Sequence, residues 1–215
     1  LFSGCIACVM AFEAKYELAL LFIVLSSIFD FFDGLLARAL NAHSIIGKDL
    51  DSLADDVSFG VAPSLIVFSL FKEMYYPATM EFIAPYLPYA AFLISVFSAL
   101  RLAKFNIDDR QTTSFIGLPI PANAIFWIGY SALAYYGTEF VCQWYWFLLI
   151  VLVESWLMIS PVRFFSLKFK TWGWKGNALK WMMIITAPVL VAIMGIPGLL
   201  WTIVAYTLYS LFDVK

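Results

Sequence analysis

Long apolar runs, broken at short polar or Gly/Pro-rich points, make up almost the whole chain. Segments of spanning or near-spanning length fall at about 1–12, 16–41, 48–71, 86–106, 119–137, 143–160, 178–195 and 198–212, which predicts roughly eight helices. The breaks carry the punctuation of connections: Pro77, Pro85 and Pro88; Gly117, Pro119 and Pro121; Gly173 and Gly176; and the turn from Gly195 to Gly198. Residues 1–215 show no repeat, low-complexity tract or linker, so one domain is expected. The opening LFSGCIACVMAF is too short to span and has no charged lead-in, so the first helix is expected to start upstream of Leu1.

Composition turns these helices into membrane helices. The chain is 63% hydrophobic and 13% charged, with a mean hydropathy of +0.89, which excludes an ordinary soluble domain and predicts an all-α integral membrane protein. The net charge of -2 matters less than its placement, and there is no extended basic patch for nucleic acid. With the amino terminus inside, Arg38, Lys48, Arg101, Lys104, Arg110, Arg163, Lys168, Lys170, Lys175, Lys180 and Lys215 fall at the cytoplasmic side, and Lys15 and Lys72 outside. The segment from Pro161 to Asn177 alternates basic residues with Phe and Trp and is expected to lie in the headgroup layer of the cell inner (cytoplasmic) membrane, as a topology anchor or an anionic-lipid site. Cys5 and Cys8 have CxxC spacing but no second pair and no nearby histidine, so they read as buried small side chains.

Against this lipid-like background the run DFFDGLLARALNAHSIIGKDLDSLAD, from Asp30 to Asp55, stands apart. Ionisable groups at membrane depth are expensive, so several together mark a site. On a helix, Asp30, Asp33, Gly34, Ala37 and Arg38 share one face, and Asp51 and Asp55 share a face of the next helix. Two helices joined by a short polar hairpin would aim four carboxylates into one cleft at the cytoplasmic ends of the second and third helices. That is more negative charge than a low-dielectric site tolerates without bound cations. Asp56 lies about 100° around the helix from Asp55 and should point off this face. His43 sits in the hairpin as an interfacial or solvated imidazole. Glu154 lies inside the sixth segment, where it is protonated, paired or at a subunit contact.

The spacing DxxDGxxAR, eight residues, then GxxxDxxxD resembles the signature of the CDP-alcohol phosphatidyltransferases, with Gly47 in the glycine position. The resemblance implies a divalent-metal enzyme that breaks the pyrophosphate of a CDP-linked lipid and hands the phosphatidyl group to an alcohol, generally as a homodimer. Asp30, Asp33 and Asp51 are then hard-oxygen ligands suited to two Mg²⁺ or Mn²⁺ ions. Asp55 would touch a metal and also, as the resemblance implies, serve as the general base. Asp33, Gly34, Ala37, Arg38 and Gly47 fall to the CDP group. Gly34 and Ala37 leave room for a nucleotide, Arg38 offers a planar fork to phosphate, and Gly47 suits close backbone approach or a positive φ just before the third helix.

The stretches ALRLAKFN, FIGLPIPAN, DSLADDVSFGVAP and LMISPVRFFSLK resemble the branch of that family whose acceptor is serine. That branch uses CDP-diacylglycerol and L-serine. Arg101, Lys104 and Asn106 would receive a lipid phosphate or the serine carboxylate; alternatively, both cations only obey the positive-inside bias. Glycerol 3-phosphate or an inositol phosphate is the alternative acceptor, and would want more cations than these. A cation or proton transporter is the rival class, but transporter sites lie near the midplane between inverted repeats, and no repeat is evident.

Overall fold

The computed structural model describes residues 1–41, 44–107, 114–136, 143–166, 173 and 177–212. His43, Arg110, Cys142, Lys168, Lys170, Lys175, Gly176, Lys215 and most of the expected interfacial segment lie outside the described residues.

Helix α1 (Phe2–Phe12) folds back on α2 (Tyr16–Ala39) through a turn in which Ala14 takes a φ of +56°. Ala7, Ala11 and Ala19 are fully buried, as expected where small residues let helix backbones approach. Ser3 Oγ donates to the Phe22 carbonyl at 2.7 Å. The hairpin then delivers α3 (Ile45–Asp55), whose Ser44 cap accepts the Gly47 N–H at 3.0 Å. Gly47 therefore sits inside the first turn, and its φ is not positive. The glycine serves the tightness of the cap, since a Cβ there would lie 2.9 Å from Ser44 Oγ.

From α3 the chain runs without a break through a π turn (Asp56–Val61) into α4 (Ala62–Glu73). A π turn inserts a residue and rearranges the carbonyl ladder. Here the Val57 carbonyl accepts the Ala62 N–H and, at 3.8 Å, the Cys8 thiol of α1. Pro85 and Pro88 hold residues Ala84–Ala91 in 3₁₀ form before α5 (Phe92–Ile107). Helices α6 (Ile120–Tyr136), α7 (Trp144–Ile159), α8 (Ala178–Met194) and α9 (Gly198–Phe212) follow. Phe147 anchors the core, its ring 4.5 Å from Phe71, 5.0 Å from Tyr130 and 5.8 Å from Trp127.

The helix bounds match the hydrophobic pattern closely and the fold is all-α as expected apart from one short strand pair, with two corrections. Only three described helical stretches are long and apolar enough to cross a bilayer: Tyr16–Ala39, Ile46–Glu73 and Ala84–Ile107. The helices Phe2–Phe12, Trp144–Ile159, Ala178–Met194 and Gly198–Phe212 are apolar but shorter. Strand β1 (Ser114–Ile116) pairs antiparallel with β2 (Arg163–Phe165), and β2 lies inside the stretch read as interfacial. Gly117 makes that junction possible: its φ is +80°, its N–H reaches the Val162 carbonyl at 2.8 Å, and a Cβ would collide with the Met158 carbonyl. Lastly, Cys5 is exposed and Cys8 half-buried, so the pair is not a buried one.

Candidate active site

The hairpin between α2 and α3 sets two acidic faces against each other. Oxygens of Asp30, Asp51 and Asp55 lie within 4.8 Å of one another, close enough for one hard cation to touch all three. Asp30 and Asp55 are half-buried, whereas Asp51 is exposed. Like charges at this spacing repel, and a divalent cation among them removes the repulsion. The donor set therefore fits a divalent metal.

Asp33 stands one turn along α2 and is not in that trio. It lines an adjoining cavity of about 660 Å³ with Gly34, Ala37, Arg38, Gly47 and Asp51. Asp51 thus belongs to both the acidic trio and the cavity. A Cβ built on Gly34 would meet nothing within 4 Å, so the glycine leaves open space on the cavity side. The structure brings together, in one trough, the residues singled out for metal and for the CDP group.

The end of α5 is tied to α3 by two hydrogen bonds. Asn106 Nδ2 donates to Ser52 Oγ at 2.8 Å, and Lys48 Nζ donates to the Asn106 carbonyl at 3.2 Å. Ser52 is the neighbour of Asp51, so this pair ties the end of α5 to the acidic face of α3. Neither Ser52 nor this use of Lys48 is foreseeable from spacing, because the partner lies more than fifty positions away.

Arg101 and Lys104 occupy different environments. Lys104 is exposed, whereas Arg101 is buried beside the Phe105–Phe115 ring pair, its guanidinium 5.2 and 5.8 Å from the two ring centres. Its Nε donates to the Leu118 carbonyl at 3.2 Å, and its Nη2 has no hydrogen-bond partner among the described residues. Burying a guanidinium is costly unless its donors are paired.

Asp56 points away from the trio, as its angle on the helix predicts. It turns toward Gly60 and α5: a Cβ on Gly60 would lie 2.6 Å from Asp56 Oδ1 and 2.9 Å from the Ser98 Cβ. Glu154 is buried on α7, and its Oε2 has no partner among the described residues.

A family model described as CDP-alcohol phosphatidyltransferase matches residues 1–160. The chain is similar to the CDP-diacylglycerol--serine O-phosphatidyltransferase of Bacillus subtilis (strain 168), 47% identical over 103 residues, covering 48% of this chain and 54% of that protein. It is similar to the protein of that name from Helicobacter pylori (strain ATCC 700392 / 26695), 34% identical over 179 residues, covering 81% and 72%. It is also similar to the archaetidylserine synthase of Methanothermobacter thermautotrophicus, 30% identical over 164 residues, covering 75% and 64%. The chain spans about half the length of the Bacillus subtilis and Mycobacterium leprae relatives it matches.

Proposed function

This chain belongs to the CDP-alcohol phosphatidyltransferase family, and from that premise we propose that it transfers the phosphatidyl group of CDP-diacylglycerol to the hydroxyl of L-serine, releasing CMP. The observation that carries this reading is the convergence of Asp30, Asp51 and Asp55 beside a cavity lined by Asp33, Gly34, Ala37, Arg38 and Gly47. The names of the relatives supply serine as acceptor.

Each side chain then has a task. Asp30, Asp33, Asp51 and Asp55 hold two divalent cations, Mg²⁺ or Mn²⁺. Such ions, when bound, neutralise the pyrophosphate and stabilise the departing CMP. Asp55 takes the proton of the serine hydroxyl as that oxygen bonds to the phosphatidyl phosphorus and the phosphorus–oxygen bond to CMP breaks. Gly34 and Ala37 leave the cytidine side of the cavity open, and Arg38 offers its guanidinium to phosphate oxygens. Arg101, Lys104 and Asn106 bind the serine carboxylate or lipid phosphate, with Asn106 positioned through Ser52. The chain acts as one domain over residues 1–215, inserted in the bacterial inner membrane with the acidic trough at the cytoplasmic leaflet, as a homodimer.

The deciding experiment measures CMP release from CDP-diacylglycerol by the purified protein in vesicles, with serine, glycerol 3-phosphate and inositol phosphate offered side by side. Release with serine alone is expected. Chelation should abolish it, and Mg²⁺ or Mn²⁺ should restore it. Release only with a phosphate-bearing acceptor overturns the serine assignment, and full turnover in excess chelator overturns the metal role.

A further inference from the structure

Asp55 is the last residue of α3, and the π turn begins at the next position. Pro63, just past the end of the turn, accounts for the wider closure. It is the second residue of α4, it has no N–H to give to the Phe59 carbonyl, and its ring crowds that carbonyl. The ladder closes instead with the Ala62 N–H on the Val57 carbonyl, five positions back. At 3.6 residues per turn, one inserted residue rotates all that precedes it by about 100° relative to all that follows. The π turn therefore sets the phase between two faces with different duties. Ala62, Ile66 and Val67 of α4 are fully buried in the core, while Asp51 and Asp55 of α3 meet Asp30.

Helix α1 grips the turn. Gly4 is buried, and a Cβ there would collide with Ser58 Oγ and lie 3.1 Å from Ser58 Cα. Ser58 itself is only 2% exposed, so it has little room to retreat. One turn further along α1, the Cys8 thiol donates at 3.8 Å to the Val57 carbonyl, the same carbonyl that closes the π turn. Beyond that, Ser69 Oγ donates to the Ala11 carbonyl at 2.8 Å, which fixes α4 on α1. A helix that supplies none of the trio thus holds both the π turn and the core side of it.

We propose that α1 positions the carboxylate trio: Gly4 and Cys8 keep the π turn in the phase that brings Asp51 and Asp55 to Asp30. Both are positioning residues, acting on the acids through Ser58 and the Val57 carbonyl. The inference rests on the phosphatidyltransferase reading for its turnover arm, and on the metal-fitting trio for its binding arm.

The whole chain in vesicles, with Mn²⁺ as the probe, tests it. Losing a group that orients a metal ligand costs about 10–100-fold in metal affinity or activity. Gly4→Ala should therefore weaken Mn²⁺ binding, followed by the spin-resonance signal of the free ion, by about tenfold or more, and lower kcat per folded molecule by a similar factor. Adding Ser58→Ala removes the oxygen that the new methyl strikes and should restore most of both losses. Cys8→Ala should weaken Mn²⁺ binding where Cys8→Ser, which keeps a donor for the Val57 carbonyl, leaves it unchanged. That pair decides the matter even where Gly4→Ala fails to fold. A Gly4→Ala protein that melts lower yet binds Mn²⁺ and turns over like the original overturns the proposal, and so does equal Mn²⁺ affinity in Cys8→Ala and Cys8→Ser. An unmodified chain that binds no Mn²⁺ overturns it as well. If the unmodified chain binds Mn²⁺ but releases no CMP with any acceptor, the functional reading falls, and the Mn²⁺ affinities of the variants alone decide the positioning role.

Discussion

Taking a proton from an incoming hydroxyl requires an oxygen near the reacting phosphorus that is not wholly committed elsewhere. Asp55 is the proposed base: it is half-buried, one turn beyond Asp51, and in the trio with Asp30. Asp55→Asn keeps a neutral oxygen in place but removes the base, so turnover should fall by roughly 10² or more while CDP-lipid binding survives. Near-normal turnover at saturating serine would remove Asp55 from that role. Ser52 offers a finer test, because it touches no acid yet accepts the Asn106 amide at 2.8 Å. Ser52→Ala should raise the serine KM as Asn106→Ala does and cost about 0.5–1.5 kcal/mol in stability. Ser52→Thr should restore the KM. If Ser52→Ala loses stability with its serine KM unchanged, the pair is structural only.

The elements show which parts of the molecule could be read from sequence. The meeting of Asp30, Asp51 and Asp55 was legible because helical periodicity is local, and the same periodicity aimed Asp56 away from them, whereas Asp33 lines the adjoining cavity. The start of α6, the end of α8 and the start of α9 fall at the expected breaks, because Gly and Pro act on their own backbone. What stayed hidden depends on distant partners. The β1–β2 ladder has three residues on each side, too few for an alternating pattern to show. The π turn is equally silent, since its residues DVSFGV carry no signal apart from Gly60. That glycine is where the turn meets α5, with Asp56 Oδ1 and the Ser98 Cβ too near for a side chain. Gly60→Val should therefore destabilise by about 1–3 kcal/mol through overpacking. It should also weaken turnover beyond the loss of folded protein, because the displaced turn begins at the residue after Asp55. Thermal unfolding together with turnover per folded molecule checks both effects, and a Gly60→Val protein that melts and turns over like the original would show that the contact is slack.

At the scale of the whole molecule, apolar surface and side-chain pairing agree on a direction. Phe29, Phe31 and Phe32 on α2 and Trp146, Leu149, Leu152 and Trp156 on α7 are all exposed, an outer surface that water does not favour and lipid does. Tyr16 donates to Glu73 at 3.1 Å and Tyr136 donates to Glu17, which gathers the start of α2, the end of α4 and the end of α6 at one end. Lys48 and Asn106 gather the start of α3 and the end of α5 at the other. The carboxylate trough shares the second end, where Arg38, Lys48 and Lys104 stand, while Lys15 and Lys72 mark the first. The positive-inside rule then gives the test for the proposed orientation, with the second end at the cytoplasm. Single cysteines placed by Lys72→Cys and Lys104→Cys should then label from opposite sides, with an impermeant maleimide reaching the first in intact cells and the second only in inverted vesicles. The background would carry Cys5→Ser, Cys8→Ser and Cys142→Ser, and serine at position 8 keeps a donor for the Val57 carbonyl. Both sites labelling from one side would break the crossing of α3, the π turn and α4. The reverse pattern would place the acids outside, where no cytoplasmic CDP-lipid could reach them.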